Sequence, residues 1–131
     1  MADNTNKVTI LVIDDEKDFV ELLEVRLKFE GYDVISASDG EEGLEKAENF
    51  KPDLVICDVK MPKKDGFDVL KQLRCKISAK TPFIMLTASD DFDKVKKAYE
   101  DKADFFITKT VDFAKLLSAI KTLLNISKKK I

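Results

Sequence analysis

Four short apolar runs in this chain each end on polar side chains fit for phosphoryl chemistry: TILVI on Asp14 and Asp15, DLVIC on Asp58, FIML on Thr87, and FFIT on Lys109. Carboxylates can hold a divalent cation or attack phosphorus, a hydroxyl can donate to a phosphoryl oxygen, and an ammonium can pair with one. Taken singly, each residue has an ordinary explanation, since aspartate and threonine cap helices and a lone lysine is commonly solvated. Adjacent acids at one exit and a third at a neighbouring exit are harder to dismiss, because they repel unless a cation joins them. Mg2+ suits such a set, with Mn2+ as its substitute: it takes oxygen ligands, keeps several waters and is typically held by one or two carboxylates plus a phosphate oxygen. Asp58 directly follows the run expected to be most deeply buried, where a rigid backbone would aim its carboxylate as a nucleophile.

Residues so scattered in sequence meet only if their exits converge, and in an open parallel sheet the ligand site lies just beyond the carboxyl ends of the strands. Apolar runs of strand length alternate here with segments of helical period, which favours βα units. Val8–Ile13 is continuous and β-branched, as expected of a strand covered on both faces. A helix follows with Phe19, Leu22, Leu23 and Leu27 on one stripe, stopped by Gly31. Tyr32–Ala37 is a weaker, outer strand. Ser38 and Asp39, each with Glu three residues on, give overlapping capping boxes for a second helix through Leu44 and Ala47, ended by Pro52. Leu54–Cys57 is the third strand, and Asp65-Gly66 opens a third helix with Phe67, Leu70 and Leu73 inward. Phe83–Leu86 is the fourth strand, a fourth helix carries Phe92, Val95, Ala98 and Tyr99, and Phe105–Ile107 is the last strand. Asp112 caps a final helix with Phe113, Leu116, Leu117, Ile120, Leu123 and Leu124 at i, i+3, i+4 spacing. Five such units with right-handed crossovers favour a single α/β, doubly wound (βα)5 flavodoxin-like domain with parallel strand order 2-1-3-4-5. That order sets the first and third strands side by side, so Asp14, Asp15 and Asp58 meet at the switch point.

The 131 residues fit one domain at 8–126, between a flexible start at 1–7 and a basic tail at 127–131. A net charge of −2, from 23 basic and 25 acidic side chains, argues against direct nucleic-acid binding by bulk charge. Two cysteines, Cys57 and Cys75, are too few for a disulfide framework and are read as structural thiols, by the usual burial of free cysteine. With no histidine, the chain has no Ser-His-Asp triad, no HExxH zinc site and no internal phosphohistidine, so any histidine in the mechanism belongs to a partner. No apolar run approaches the ~20 residues of a membrane span, and MADNTNK is no signal peptide, so a cytoplasmic location without a membrane partner is expected.

Together, VIDDE at 12–16, LVICDVKMPKKDG at 54–66, MLTA at 85–88 and the lysine of FITKT resemble the receiver domain of bacterial response regulators, over nearly the whole chain. The resemblance implies that Asp58 is the phosphoacceptor, Asp14 and Asp15 the acids around Mg2+, and the Lys60 main-chain carbonyl a further metal ligand. It casts Thr87 as the switch hydroxyl, Lys109 as the phosphate-pairing amine and Phe106 as the switch aromatic. It further implies a regulatory phosphoacceptor rather than an enzyme, with at most self-phosphorylation from small donors and self-dephosphorylation. The phosphoryl group would come from a sensor histidine kinase or phosphotransfer protein, and a downstream protein would read residues 90–126.

Two positions depart from the family pattern. Lys109 is followed by Thr110 where the family usually has proline, and a trans bond is expected there because a non-proline cis bond costs about 2.5–4 kcal/mol. Phe106 lacks the hydroxyl of a tyrosine. Lys60 stands two residues after Asp58, where receivers tend to tune the lifetime of the phosphoryl group. Other readings fit less well. An aspartyl-phosphate phosphohydrolase needs a second acid, often close after the nucleophile, where this chain has Val59-Lys60-Met61. A nucleotide or flavin binder would cradle phosphate in a glycine- or hydroxyl-rich loop, whereas the first exit is Asp14-Asp15-Glu16. Against a phosphorylation-independent receiver-like interaction module stand the intact acids and Lys109, by the same resemblance.

Overall fold

Three of the apolar runs have almost no polar position, which forbids a solvated face and demands helices on both sides. In the structure, a computed structural model that describes residues 7–88, 96–97, 102–109 and 112–129, these runs are β1 (Thr9–Ile13), β3 (Leu54–Asp58) and β4 (Phe83–Thr87). With β2 (Asp33–Ala37) and β5 (Phe105–Thr108) at the edges they form a five-stranded parallel sheet of order β2-β1-β3-β4-β5, as the crossover argument expects. Every residue of β3 and β4 is buried. Alternate side chains divide between two layers. Leu11, Ile13, Val55 and Cys57 pack towards the second and third helices, while Ile10, Val12, Leu54 and Ile56 pack towards the first and last. Burying each such aliphatic side chain contributes roughly 1.5–3 kcal/mol.

Register fixes where the strands stop. Ile13 pairs with Cys57, Asp58 with Leu86, and Thr87 with Thr108, so the carboxyl ends are nearly level. β3, β4 and β5 each run one residue beyond the apolar core of the run. Asp58 and Thr87 are therefore the last rungs of the sheet rather than loop residues.

α1 (Lys17–Phe29) buries Val20, Leu23 and Leu27. This corrects the expected stripe: Leu22 is 56% exposed and Val20 takes its place, because a neighbour one residue on lies about 100° round the helix from Leu23. Gly31, at φ 97°, supplies the left-handed residue that ends the segment. The two overlapping capping boxes before α2 (Gly40–Phe50) merge into one. Asp39 Oδ1 accepts from Glu42 N at 2.8 Å, and Glu42 Oε1 accepts from Ser38 N and Oγ at 2.8 and 3.0 Å. α3 (Gly66–Gln72) opens on a capping box of Asp65 and Asp68.

A π-helical turn, Leu73–Ile77, continues α3, a feature that a 3.6-residue pattern does not announce. It turns Cys75 outward, so the expectation that both cysteines are buried holds for Cys57 alone. The same turn lets Arg74 reach across the lower edge of the sheet. Its guanidinium donates to the carbonyls of Thr81 at 2.7 Å and Lys102 at 3.2 Å, and it pairs with Asp104, whose Oδ2 accepts from Phe83 N at 2.8 Å. The C-terminal helix, Phe113–Lys129, starts where Asp112 Oδ1 accepts from Ala114 N at 2.7 Å, and it buries Leu116, Ala119, Ile120, Leu123 and Leu124. Lys96 and Lys97 are helical, but Phe92, Val95, Ala98 and Tyr99, the Lys109–Thr110 peptide bond, residues 1–6 of the N-terminal segment and residues 130–131 of the tail lie outside the described residues.

Candidate functional site

The level strand ends bring Asp14, Asp15, Asp58 and Lys109 into one cleft. Carboxylate oxygens of Asp14, Asp15 and Asp58 all lie within 4.8 Å of one another. Asp14 and Asp58 are buried and Asp15 is exposed, so the cluster opens to solvent on the Asp15 side. Asp14 Oδ1 accepts from Glu16 N at 2.9 Å, while its Oδ2 stands 2.7 Å from Lys109 Nζ with no hydrogen-bond donor aligned on it among the described residues. Asp58 Oδ1 accepts from Val59 N at 2.8 Å, leaving Oδ2 3.4 Å from the same ammonium.

Beneath Asp58 the packing is close. Cys57 Sγ donates to the Asp58 carbonyl at 3.3 Å, and a Cβ on Gly66 would lie 2.3 Å from that carbonyl oxygen and 2.8 Å from Met85 Sδ. Position 66 thus requires glycine for close approach rather than for an unusual φ. Thr87, buried, lies one strand over, and its carbonyl accepts from Lys109 N at 2.6 Å. Phe106, in register with Met85, is half-buried against the core. The Lys60 side chain is exposed beside Val59.

The charges do not balance. Burial, and then the neighbouring Asp14, push the Asp58 carboxyl up to about 6, against the pull of Lys109 and the Val59 N–H. Burial likewise raises Asp14, opposed by Lys109 and the Glu16 N–H. For Lys109, burial works against the ammonium, but contacts with Asp14 and Glu16 outweigh it and hold the group charged well above the usual lysine range. One ammonium among these acids leaves excess negative charge on hard oxygen donors, which is the donor set a small divalent cation takes. The residues therefore fit Mg2+.

Two neighbours of Lys109 were missed from sequence. Glu16 Oε1 makes a short contact with the ammonium, and the Phe19 ring lies 4.8 Å beneath it. A signal was present for Glu16, because glutamate is not among the residues that favour the N-cap position it occupies.

A cluster of three acids with one lysine at the exits of β1, β3 and β5 on a 2-1-3-4-5 sheet defines a class of signalling domain, and residues 10–121 match the family model of the response regulator receiver domain. The chain belongs to that family, the receiver domains of two-component response regulators. Over 117 residues it is 49% identical to the alkaline phosphatase synthesis transcriptional regulatory protein PhoP of Bacillus subtilis, covering 88% of this chain and 48% of that protein. The chain spans about half the length of the curated relatives it matches.

Among solved structures it is similar to a CheY-like receiver domain protein of Methanospirillum hungatei, with a TM-score of 0.91, 30% identity, and 96% and 100% of the two chains covered. A receiver domain protein of Clostridium thermocellum matches with a TM-score of 0.87, 35% identity, and 95% and 99% coverage. Receiver domains are regulatory signalling proteins that generally bind Mg2+ at an acidic cluster and interact with histidine kinases or phosphotransfer proteins. Among the described residues no helix is long and apolar enough to cross a membrane.

Proposed function

We propose that this chain takes a phosphoryl group from a phosphohistidine of a sensor histidine kinase or phosphotransfer protein onto Asp58. The observation that carries the reading is the position of Asp58 Oδ2, which ends a fully buried strand, has no backbone donor among the described residues, and faces Lys109 inside the acid cluster. That oxygen attacks phosphorus as the P–N bond breaks, and the bonding electron pair stays on the imidazole nitrogen of the partner. The Val59 N–H holds the other carboxylate oxygen, so the nucleophile arrives oriented. Asp14, Asp15, Asp58 and the Lys60 main-chain carbonyl would hold Mg2+, or Mn2+ in its place. The bound cation supplies charge neutralisation for the phosphoryl oxygens.

Phosphorylation replaces one negative charge at position 58 by roughly −1.5 to −2, taking phosphoserine as the guide, and adds acceptor oxygens. Lys109 pairs with one of these and the Thr87 hydroxyl donates to another. Inward movement of Thr87 frees space beneath β4 and β5, and Phe106 turns into it, by burial alone since it lacks a hydroxyl. The surface of residues 90–126 changes in consequence and is what a downstream protein reads. The functional unit is residues 8–126, working in the cytoplasm as a phosphoacceptor whose own chemistry is limited to self-phosphorylation from small donors and self-dephosphorylation.

The test is to incubate the protein with Mg2+ and a small phosphodonor beside Asp58→Asn and to weigh both intact. An acid-stable, base-labile phosphoryl adduct on the wild type alone is expected. No adduct would leave a phosphorylation-independent interaction module, and steady turnover of a phosphomonoester would mark a phosphohydrolase.

A further inference from the structure

The first residue after the aspartate pair breaks a local rule. Glu16 is the N-cap of α1, yet its side chain caps no backbone N–H. The N-cap position favours Ser, Thr, Asp or Asn, whose short side chains reach the free amides of the first turn. Glu16 instead extends to Lys109, a residue 93 positions away, while its backbone N–H goes to Asp14 and its carbonyl accepts from Val20 N at 3.0 Å. Its carboxylate is outside the group of three that could share a cation.

The ammonium of Lys109 is enclosed accordingly. Its side chain is only 10% exposed, with Asp14 and Glu16 as its close partners, Asp58 as the loosest at 3.4 Å, and the Phe19 ring 4.8 Å away. An ammonium has three N–H donors. Its one side-chain hydrogen bond seen among the described residues goes to Glu16, and its other close contact is Asp14, so moving the ammonium from these onto a new anion on Asp58, now 3.4 Å away, draws it against their pull. Asp14 is buried among the cation-binding acids, whereas the Glu16 side chain is 62% exposed and is the partner that water can replace.

We infer that Glu16 is a positioning residue for Lys109: together with the Phe19 ring it parks the ammonium in the resting protein and competes for it with the phosphoryl group on Asp58. The inference rests on the phosphoacceptor reading of Asp58 and deepens it. Glu16 sets how readily the modified state is reached, while taking no part in bond making.

Two substitutions separate reach from charge. Glu16→Ser removes the carboxylate and installs a better N-cap, so folding is not the casualty. Glu16→Asp keeps the charge but is one methylene short of Lys109. Beryllofluoride, an unreactive stand-in for a phosphoryl group on a carboxylate, is titrated with Mg2+ and followed by 19F NMR. Separately, the Lys109 ammonium is observed by 15N NMR in the metal-free protein.

Both variants should bind beryllofluoride roughly twofold to fivefold more tightly than wild type, the range for releasing one partly exposed ion pair. In both, the Lys109 ammonium signal should shift and exchange faster with water. An Asp variant that binds like wild type overturns the inference, since charge and not reach would then be responsible. So does an ammonium signal indifferent to Glu16→Ser. Equal beryllofluoride binding by all three proteins defeats the role of Glu16 alone, whereas no binding by any of them defeats the phosphoacceptor reading and the competition with it.

Discussion

Replacing Asp58 with asparagine should make the metal-free protein harder to unfold at neutral pH, although it removes the residue on which the proposed function depends. The carboxyl titrates at about 6 in the folded chain against a reference of 3.8, because burial and Asp14 disfavour its charged form more than Lys109 and the Val59 N–H favour it. A folded pKa above the unfolded one means that the fold prefers the protonated acid. That contribution to stability is fully present below about 3.8 and is lost as pH rises through about 6.

About two pKa units at 1.36 kcal/mol each set an upper bound near 3 kcal/mol. Solvent entering past exposed Asp15 screens the cluster, so roughly 1.5–3 kcal/mol is expected. Asparagine imitates the protonated acid and its Oδ1 can still accept from Val59 N. The variant should therefore gain about 5–10 °C in Tm near pH 7.5, given a few degrees per kcal/mol for a domain of this size, and almost nothing near pH 4. Thermal unfolding in EDTA at several pH values reads this directly. Adding Mg2+ to ten times its Kd should return about 1.4 kcal/mol to the wild type and less to the variant. If Asp58→Asn proves no more stable than wild type at pH 7.5, the electrostatic account of the cluster is wrong.

Other consequences can be checked independently. Gly66→Ala should destabilise the domain by about 1–3 kcal/mol in urea unfolding, because its Cβ would lie 2.3 Å from the Asp58 carbonyl oxygen and the β3–α3 connection must shift. Lys60→Asn should change the rate of self-dephosphorylation, since the exposed ammonium two residues after the acceptor can obstruct or reorient attacking water; equal decay of the two adducts removes that role. In the native protein Cys75 should react with a thiol reagent while Cys57 stays silent until unfolding. Cys57 is fully buried, and burial and nearby carboxylates hold its thiol far from ionising; early modification of both would contradict the packing.

The strand order and the meeting of Asp14, Asp15, Asp58 and Lys109 were legible because they follow from coarse patterns. Apolar runs at regular intervals imply parallel pairing, and each site residue stands at the end of a run. What escaped depends on neighbours rather than on period. Val20 and Leu22 flank the Leu23–Leu27 stripe on opposite sides, and which of them faces the core is decided by how α1 rolls on the sheet. The π turn at Leu73–Ile77 adds no signature of its own, so the exposure of Cys75 could not be foreseen. Glu16 was readable as a poor N-cap, but only the fold gives it Lys109 as a partner. The parts proposed for Thr87 and Phe106 come from the family pattern rather than from a contact that spacing could announce.

The Arg74 guanidinium, bonded to carbonyls just before β4 and just before β5, rivets the amino ends of the two strands to one point. Thr87 and Lys109 lie at the opposite, carboxyl ends, where the Lys109 N–H donates to the Thr87 carbonyl and continues the ladder. The acid cluster and the Arg74 clamp therefore stand at opposite ends of the same paired strands, one at the carboxyl rim and one at the amino rim.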